Sequence, residues 1–185
     1  MGRQPTIDEN AVLDVAEVLV REQGVAALTL ARVAARSGIS KGGLQYRFAS
    51  KQDLLRAMLT RAFDRLDAAV ANEVASLPEG SGRMAKGYVA GMLGPRGAHL
   101  RPDAALLAAA FAEPDLLAEF APRYAHTLAD FAADSESPLD ATVALLATDG
   151  LWLLEVLGLR PLDDLTRERV VKRLGEMIDG RERQS

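Results

Sequence analysis

The sequence predicts an all-α protein of about nine helices, and three observations support this. The 185-residue chain is 49% hydrophobic but only 5% aromatic, and its abundance of alanine and leucine favours helices over strands. Apolar residues recur at helical rather than alternating spacing along most of the chain. Prolines and glycines fall where helices would start or connect. The length suits a three-helix N-terminal unit joined to a larger helical body.

Two capping residues mark the first two helices. Thr6, three residues before Glu9, has the form of a capping box and predicts a helix that ends near Gly24. The apolar residues that follow are three or four apart, as one buried helix face requires. Thr29 predicts the N-cap of a short second helix that ends near Ser37.

A glycine turn and two further caps predict the next two helices. Gly38 follows the second helix and can adopt the positive φ that a tight turn often needs. Ser40 can cap a third helix over about 41–48. Ser50 can cap a fourth helix, which apolar residues continue to about Ser76.

The second and third helices with their turn have the form of a helix-turn-helix, the scaffold that places one helix in the major groove of DNA. Six residues form the predicted buried face that holds the two helices at a fixed angle: Leu30, Val33, Ala34, Ile39, Leu44 and Phe48. This arrangement leaves the polar residues of the third helix on its outside.

Five more helices are predicted beyond the proline- and glycine-containing loop at 78–82. They cover about 83–93, 103–112, 114–133, 138–158 and 164–179. The sequence therefore predicts a helix-turn-helix domain over 1–52 and a larger helical domain over 53–185.

The charge distribution favours a nucleic-acid partner although the net charge is −4. Residues 1–61 contain nine basic and six acidic side chains, whereas residues 62–185 contain thirteen and twenty. The stretch between Glu22 and Asp53 contains no acid. Phosphate binding needs a local positive potential rather than a positive total. Charge alone leaves a chance gap on a solvated surface as the alternative.

Ten residues of this region are candidates for DNA contact. They are Thr29, Arg32, Ser40, Lys41, Gly42, Gly43, Gln45, Tyr46, Arg47 and Lys51. Gln45 can hydrogen-bond adenine, and Lys41 can donate to guanine. The hydroxyl groups and Lys51 suit phosphate contacts that set the register. Each glycine in the third helix costs about 1 kcal/mol relative to alanine, and close backbone approach to DNA would compensate for that cost.

Each candidate also has an interpretation without DNA. Thr29 and Ser40 serve as helix caps in either case. Tyr46 then packs against the first helix, and Arg47 is ordinary solvated charge. The two glycines then only fray a helix end. The ordered combination of caps, turn glycine, buried face and acid-free interval predicts DNA binding, rather than any one residue.

The run from Gly38 to Lys51, Gly-Ile-Ser-Lys-Gly-Gly-Leu-Gln-Tyr-Arg-Phe-Ala-Ser-Lys, resembles the signature of tetracycline-repressor-like (TetR) regulators. The resemblance covers about residues 6–66 and extends weakly to 149–152. It implies a homodimeric DNA-binding protein, usually a repressor, whose helical body binds a small-molecule effector. The sequence departs from the usual family pattern at Val20, Gln45, Ala49 and Gln52. The departure at Gln45 leaves the operator sequence open.

Two helices of the body are candidates for a homodimer interface. The helix over about 138–158 is apolar around most of its circumference, as a helix buried on more than one side is. The last helix, over about 164–179, carries apolar residues at helical spacing with charges between them. Two such helices from each subunit would form a four-helix interface, which the resemblance also favours. The alternative is that both belong to the core of the monomer.

The effector pocket that the resemblance implies would lie in the body. Candidate lining residues are Tyr88, Met92, Phe111, Tyr124 and Trp152, with polar contacts from His126 or Asp149. Ordinary core or interface packing is the alternative for each of them.

Other classes of protein are disfavoured. The chain contains no cysteine and only two histidines, His99 and His126, so neither a metal site nor a cofactor is expected. No nucleophile motif is present, so we do not expect an enzyme. The N-terminus lacks the apolar core of a signal peptide, and no membrane span follows, so the expected location is cytoplasmic. A helical protein-interaction module that does not bind DNA is the remaining alternative.

Overall fold

The structure is a computed structural model, and it describes residues 8–95, 102, 104–160 and 162–180. Within these ranges the regular elements are all helical and no strand is present, so the predicted all-α fold is confirmed. The α-helices in chain order are α1 (Glu9–Gln23), α2 (Leu30–Ser37), α3 (Lys41–Arg47), α4 (Lys51–Ser76), α5 (Arg83–Leu93), α6 (Ala104–Phe111), α7 (Pro114–Ala118), α8 (Ala121–Asp134), α9 (Pro138–Val156) and α10 (Asp164–Ile178). A short 3-10 turn, Val25–Ala27, follows α1.

The chain divides into two compact units. Unit 1 comprises Met1–Ala62 with Pro102–Ala118, and unit 2 comprises Phe63–Arg101 with Glu119–Ser185. The first part of α4 therefore belongs to unit 1 with the helix-turn-helix, and so do α6 and α7. The predicted domain boundary after residue 52 stays a prediction. None of the helices in the described ranges has the length and hydropathy needed to span a membrane.

The core of unit 1 is formed by α1 and the first half of α4. Val12 and Ala16 of α1 and Leu54 and Met58 of α4 are fully buried, at the helical spacing that the sequence predicts. Arg61 of α4 adds a polar tie between the two helices. Its guanidinium lies 2.8 Å from the Asp14 carboxylate and 2.7 Å from the Glu17 carboxylate, and it donates to the Asn10 carbonyl oxygen at 3.0 Å.

Two predicted helix boundaries differ from the structure. Helix α1 begins at Glu9, and the Asp8 carboxylate caps it by accepting from two backbone N–H groups; the predicted cap, Thr6, lies outside the described residues. The single helix predicted over 114–133 is two helices, α7 and α8. Pro122 lies in the first turn of α8, where it has no N–H to continue the hydrogen bonding of a helix that began at Pro114.

Helix α9 is the centre of unit 2 and packs against α5, α8 and α10. One side of α9 is buried: Ala141, Ala144, Leu145, Thr148, Leu151 and Trp152. The Arg167 guanidinium joins three of these helices, because it donates to Glu155 of α9 at 2.6 Å and to the carbonyl oxygen of Leu93, at the end of α5, at 2.8 Å.

Two glycines allow α5 to pack unusually close to the second half of α4. A Cβ atom added at Gly87 would lie 2.9 Å from Cα of Val74, and one added at Gly91 would lie 2.8 Å from Cα of Val70. Real Cβ atoms do not approach backbone atoms this closely. The spacing of four residues puts both glycines on one face of α5, so the two helices are in backbone contact along a full turn.

Candidate nucleic-acid interface

The helix-turn-helix is built by the caps that the sequence predicts. The Thr29 side chain accepts from the N–H of Arg32 at 3.3 Å and begins α2. Gly38 has a φ of +67°, and its N–H closes the end of α2. The Ser40 hydroxyl then accepts from the N–H of Gly43 at 3.1 Å and begins α3. The predicted turn and both predicted caps are therefore confirmed.

The predicted buried face holds α2 and α3 together. Val33, Ala34, Leu44 and Phe48 are buried, whereas Leu30 and Ile39 are half-buried at the edge of the same face. Helix α3 is only seven residues long, too short to be stable alone. Its position therefore depends on the packing of these apolar side chains.

The opposite face of α3 is exposed. Lys41, Gly42, Gln45 and Tyr46 all lie on it, with Gly43 half-buried at its edge. Tyr46 is 94% exposed, so the alternative in which it packs against the first helix is wrong. Apart from its own helix turn, no atom of the described residues lies within 4 Å of the position that a Cβ at Gly42 would occupy. This face of α3 is therefore open to solvent within unit 1.

The arginines around α3 are paired with residues of α1. Arg47 donates to the Glu9 carboxylate, with the contact from Nε at 2.7 Å, and Arg32 donates to the Gln23 side chain. Arg36 lies 2.9 Å from the Glu22 carboxylate. The sequence interval is acid-free, but folding brings acids from α1 beside it. The candidate roles of Arg32 and Arg47 in DNA contact stay predictions.

The two lysines of the interval differ from the arginines. Among the described residues, neither Lys41 nor Lys51 has a carboxylate partner. Lys41 is exposed at the first position of α3. Lys51 is exposed and donates to the carbonyl oxygen of Val25 at 3.0 Å. These two ammonium groups are thus the cations at this surface whose charge no neighbouring acid balances.

A capping box fixes the start of α4 directly after α3. The Ser50 hydroxyl accepts from the N–H of Asp53 at 3.1 Å, and the Asp53 carboxylate accepts from the N–H of Ser50 at 2.9 Å. The hydrogen bond from the Ser50 hydroxyl lowers the pKa of Asp53. This reciprocal pair confirms the predicted cap and orients Lys51, the first residue of α4.

Four of the five predicted effector-lining residues lie in unit 2. Met92 of α5 and Trp152 of α9 are buried. Tyr88 of α5 and Tyr124 of α8 both donate a hydrogen bond to the Asp149 carboxylate of α9, at 2.5 Å each.

The remaining candidates of the effector region lie elsewhere. Phe111 belongs to unit 1 and is 53% exposed. His126 is on the exposed side of α8, 3.4 Å from Asp130. Of the two suggested polar contacts, only Asp149 therefore joins the two tyrosines.

The cluster of Tyr88, Tyr124 and Asp149 has a distinct electrostatic character. Burial raises the pKa of Asp149, and the two hydroxyl hydrogen bonds oppose that shift. Burial, together with the charge of Asp149, raises the pKa of both tyrosines. Both hydroxyl groups are therefore neutral donors at neutral pH.

The fold and the exposed helix together define a helix-turn-helix DNA-binding regulator. Residues 12–58 match the family described as "Bacterial regulatory proteins, tetR family", and residues 82–179 match "Tetracyclin repressor-like, C-terminal domain". The chain belongs to the tetR family of bacterial regulatory proteins and is a DNA-binding transcriptional regulator. Regulators of this family are typically not enzymes.

Individual relatives agree with this assignment. The HTH-type transcriptional regulator BetI of Klebsiella pneumoniae (strain 342) is 33% identical over 81 residues, which cover 44% of this chain and 41% of BetI. The crystal structure of multidrug binding protein EbrR complexed with malachite green is similar with a TM-score of 0.67 and 28% identity, covering 91% of this chain and 96% of EbrR. A TetR-family member from Streptomyces coelicolor A3 has the same TM-score, identity and coverage.

Proposed function

We propose that α3 enters the major groove of an operator and that Lys41 and Gln45 read base edges there. The division of α3 into one buried and one exposed face carries this proposal, because it aims the two side chains away from the protein. Gln45 has the donor and acceptor that adenine presents in the groove, and Lys41 is a donor suited to guanine. Close approach of the backbone at Gly42 would let both side chains reach the bases.

Phosphate contacts would flank this helix. Thr29, Ser40 and Tyr46 carry exposed side chains next to the α3 face, and Lys51 follows at the start of α4. Such contacts fix the register of the protein on the duplex but carry no base preference. Lys51 therefore has a different expected signature from Gln45, and an experiment can separate the two roles.

Selection of bound DNA from a random pool tests this proposal, followed by titration of the selected site. We expect Gln45→Ala to cost about 1–3 kcal/mol at one base position and to leave the other positions unchanged. Lys51→Ala should weaken all sequences alike and reduce the slope of log affinity against log salt by about 1. A Lys51 variant with altered base preference and an unchanged salt slope would contradict the assigned roles.

We propose that the protein acts as a homodimer through α9 and α10. Four apolar side chains of α9 and that of its C-cap residue are exposed, at helical spacing opposite the buried side: Leu139, Val143, Leu146, Leu154 and Leu157. On α10, Leu165 is 60% exposed. Apolar stripes of this length on a water-facing helix mark association surfaces. A two-fold interface would bury both copies of the stripe and place two α3 helices for half-sites about 34 Å apart.

We further propose that a small molecule bound in unit 2 releases the operator, so that the protein is a ligand-responsive repressor. The EbrR structures that resemble this chain carry small molecules, malachite green among them, and EbrR is a multidrug binding protein. A ligand shifts a conformational equilibrium only by its difference in affinity for the two states. A compound screen for operator release by fluorescence anisotropy tests this part, and the absence of any releasing compound would argue for a regulator without an effector.

A further inference from the structure

Three helices of unit 2 meet at one carboxylate. Asp149 of α9 accepts a hydrogen bond from Tyr88 of α5 at Oδ1 and from Tyr124 of α8 at Oδ2, each at 2.5 Å. Hydrogen bonds to a carboxylate are charge-assisted and stronger than those between neutral groups. Each carboxylate oxygen is therefore held in place by a side chain from a different helix.

The negative charge at this point is balanced by hydroxyl groups only. Asp149 is half-buried, and among the described residues its charge interacts with the two tyrosine hydroxyls but with no basic side chain. Removing a carboxylate from water without a counter-cation is costly. A cation that reaches the carboxylate would therefore supply the charge partner that the described residues do not provide.

The surroundings of the carboxylate are aromatic. The Tyr88 ring packs edge to face against Phe131, with ring centroids 5.2 Å apart. Trp152 follows Asp149 by three residues on α9, so the two share one side of the helix. Trp152 is only 8% exposed, and its Nε1 has no hydrogen-bond partner among the described residues. Aromatic faces attract organic cations, and most strongly where water is excluded.

We infer that Asp149, with Tyr88 and Tyr124, is the recognition point for an organic cation carrying aromatic or alkyl groups, which is the effector of this regulator. The inference rests on the proposed function, in which a small molecule bound in unit 2 controls operator binding. An anionic effector would meet the charge of Asp149 without a compensating base. The wider environment agrees, since residues 62–185 contain twenty acidic and thirteen basic side chains.

Cation binding at Asp149 would also affect the packing of the three helices that meet there. The two tyrosine hydroxyls and a cation would share the charge of one carboxylate, whose two oxygens have about four lone-pair sites between them. Binding of a cation therefore weakens or replaces the hydrogen bonds from α5 and α8. The positions of these two helices relative to α9 would then depend on whether the effector is bound.

Two probes of nearly equal size test the inference on the whole protein. Malachite green is a delocalised cation near pH 6, where it does not convert to its uncharged carbinol, and leucomalachite green is its uncharged reduced form. We expect the wild-type protein to bind malachite green at least about tenfold more tightly than leucomalachite green, by isothermal calorimetry. Asp149→Asn should weaken malachite green at least about tenfold, since one partner of a partly buried charge pair is lost, and should leave leucomalachite green unchanged within twofold.

Asp130→Asn is the matched control. It removes the same charge from the same unit at another half-buried position, where the carboxylate lies 3.4 Å from His126 and has no tyrosine partner among the described contacts, and we expect less than a twofold change for either probe. Tyr124→Phe keeps the charge and the ring but removes one hydroxyl bound to the carboxylate, so we expect malachite green to bind at least as tightly as it binds to the wild type. If Asp149→Asn does not fold, the comparison of the two probes on the wild-type protein still decides the question.

The outcomes separate this inference from the proposed function. The inference alone would be overturned by either of two results. One is a wild-type protein that binds its selected operator but prefers neither probe. The other is an Asp149→Asn protein that retains full malachite green affinity. Failure to select any operator would overturn the proposed function whatever the dye does. Malachite green can be tested for release of the operator from all three proteins. Release from the wild type and from Asp130→Asn, but not from Asp149→Asn, would support both the inference and the proposed function.

Discussion

Replacing Gly42 by alanine separates the two explanations of why a glycine is present in a seven-residue helix. In the protein alone, the new Cβ at this position would touch nothing within 4 Å. Gly42 has no positive φ, so alanine fits the backbone without strain. The protein by itself therefore gives no packing reason for a glycine here. If the glycine allows the backbone to lie close to DNA, the added methyl group meets the duplex instead.

The expected magnitudes have opposite signs. Alanine is about 1 kcal/mol better than glycine in a helix interior, and less than this in a first turn. The free energy of unfolding should therefore rise by up to about 1 kcal/mol. Operator affinity should fall, because displacing α3 by a fraction of an ångström would weaken the base contacts proposed for Lys41 and Gln45. With about 1–3 kcal/mol at stake for each bidentate contact, we expect a loss of at least about tenfold.

Chemical denaturation measures the first quantity, and fluorescence anisotropy with the selected operator measures the second. Gly175→Ala is the control, since its Cβ also meets nothing within 4 Å in the protomer. Because α10 belongs to the proposed dimer interface, light scattering first checks that the variant keeps the oligomeric state of the wild type; it should then show the gain in stability with unchanged operator affinity. A Gly42→Ala protein that binds the operator as tightly as the wild type would refute the reasoning and leave a frayed helix end as the explanation.

Three further predictions follow from the packing and the ion pairs. Gly87→Ala should lower the free energy of unfolding by about 2 kcal/mol, because the cost of overpacking against α4 exceeds the gain in helix propensity. Thermal melting measures this change, and an unchanged melting curve would contradict the close contact between the two helices. Leu146→Glu should weaken the proposed dimer by about 3 kcal/mol and give a monomer in light scattering. Ala129→Glu, at an exposed position of α8, should leave the dimer intact. A Leu146→Glu protein that is still a dimer would exclude this stripe as the interface. Glu9→Gln and Arg47→Gln break the same ion pair, so each should weaken operator binding by a similar amount and the double variant by no more than either alone. The slope of log affinity against log salt should stay unchanged. A smaller slope for Arg47→Gln alone would make Arg47 a phosphate contact.

Local chemistry made much of the DNA-binding surface predictable from the sequence. Thr29, Ser40 and Ser50 cap their helices because each side chain reaches a backbone N–H three residues away. Gly38 adopts the positive φ that the turn requires. These features depend on neighbours within a few residues, and such neighbours are visible in the sequence.

Features that depend on distant partners were not predictable in the same way. The pairing of Arg47 with Glu9 joins residues 38 positions apart, so the acid-free interval overstated the free positive charge around α3. The close contact of Gly87 with Val74 depends on how two helices pack, although a pair of glycines four residues apart in α5 was a usable signal. Pro122 was a local signal for the end of α7, and the apolar periodicity across 114–133 concealed it.

The brevity of α3 limits how much sequence information one subunit can extract from DNA. Two of its seven positions are glycines, and few of the remaining side chains are long and exposed enough to reach a base. Two base contacts at about 1–3 kcal/mol each favour the correct half-site over random DNA by roughly 2–6 kcal/mol. A genome offers about a million or more competing positions, and overcoming that number requires a preference of some 8 kcal/mol. A lone subunit would therefore be bound to random DNA most of the time, and the proposed dimer, which would read two half-sites together, would be needed to distinguish one operator.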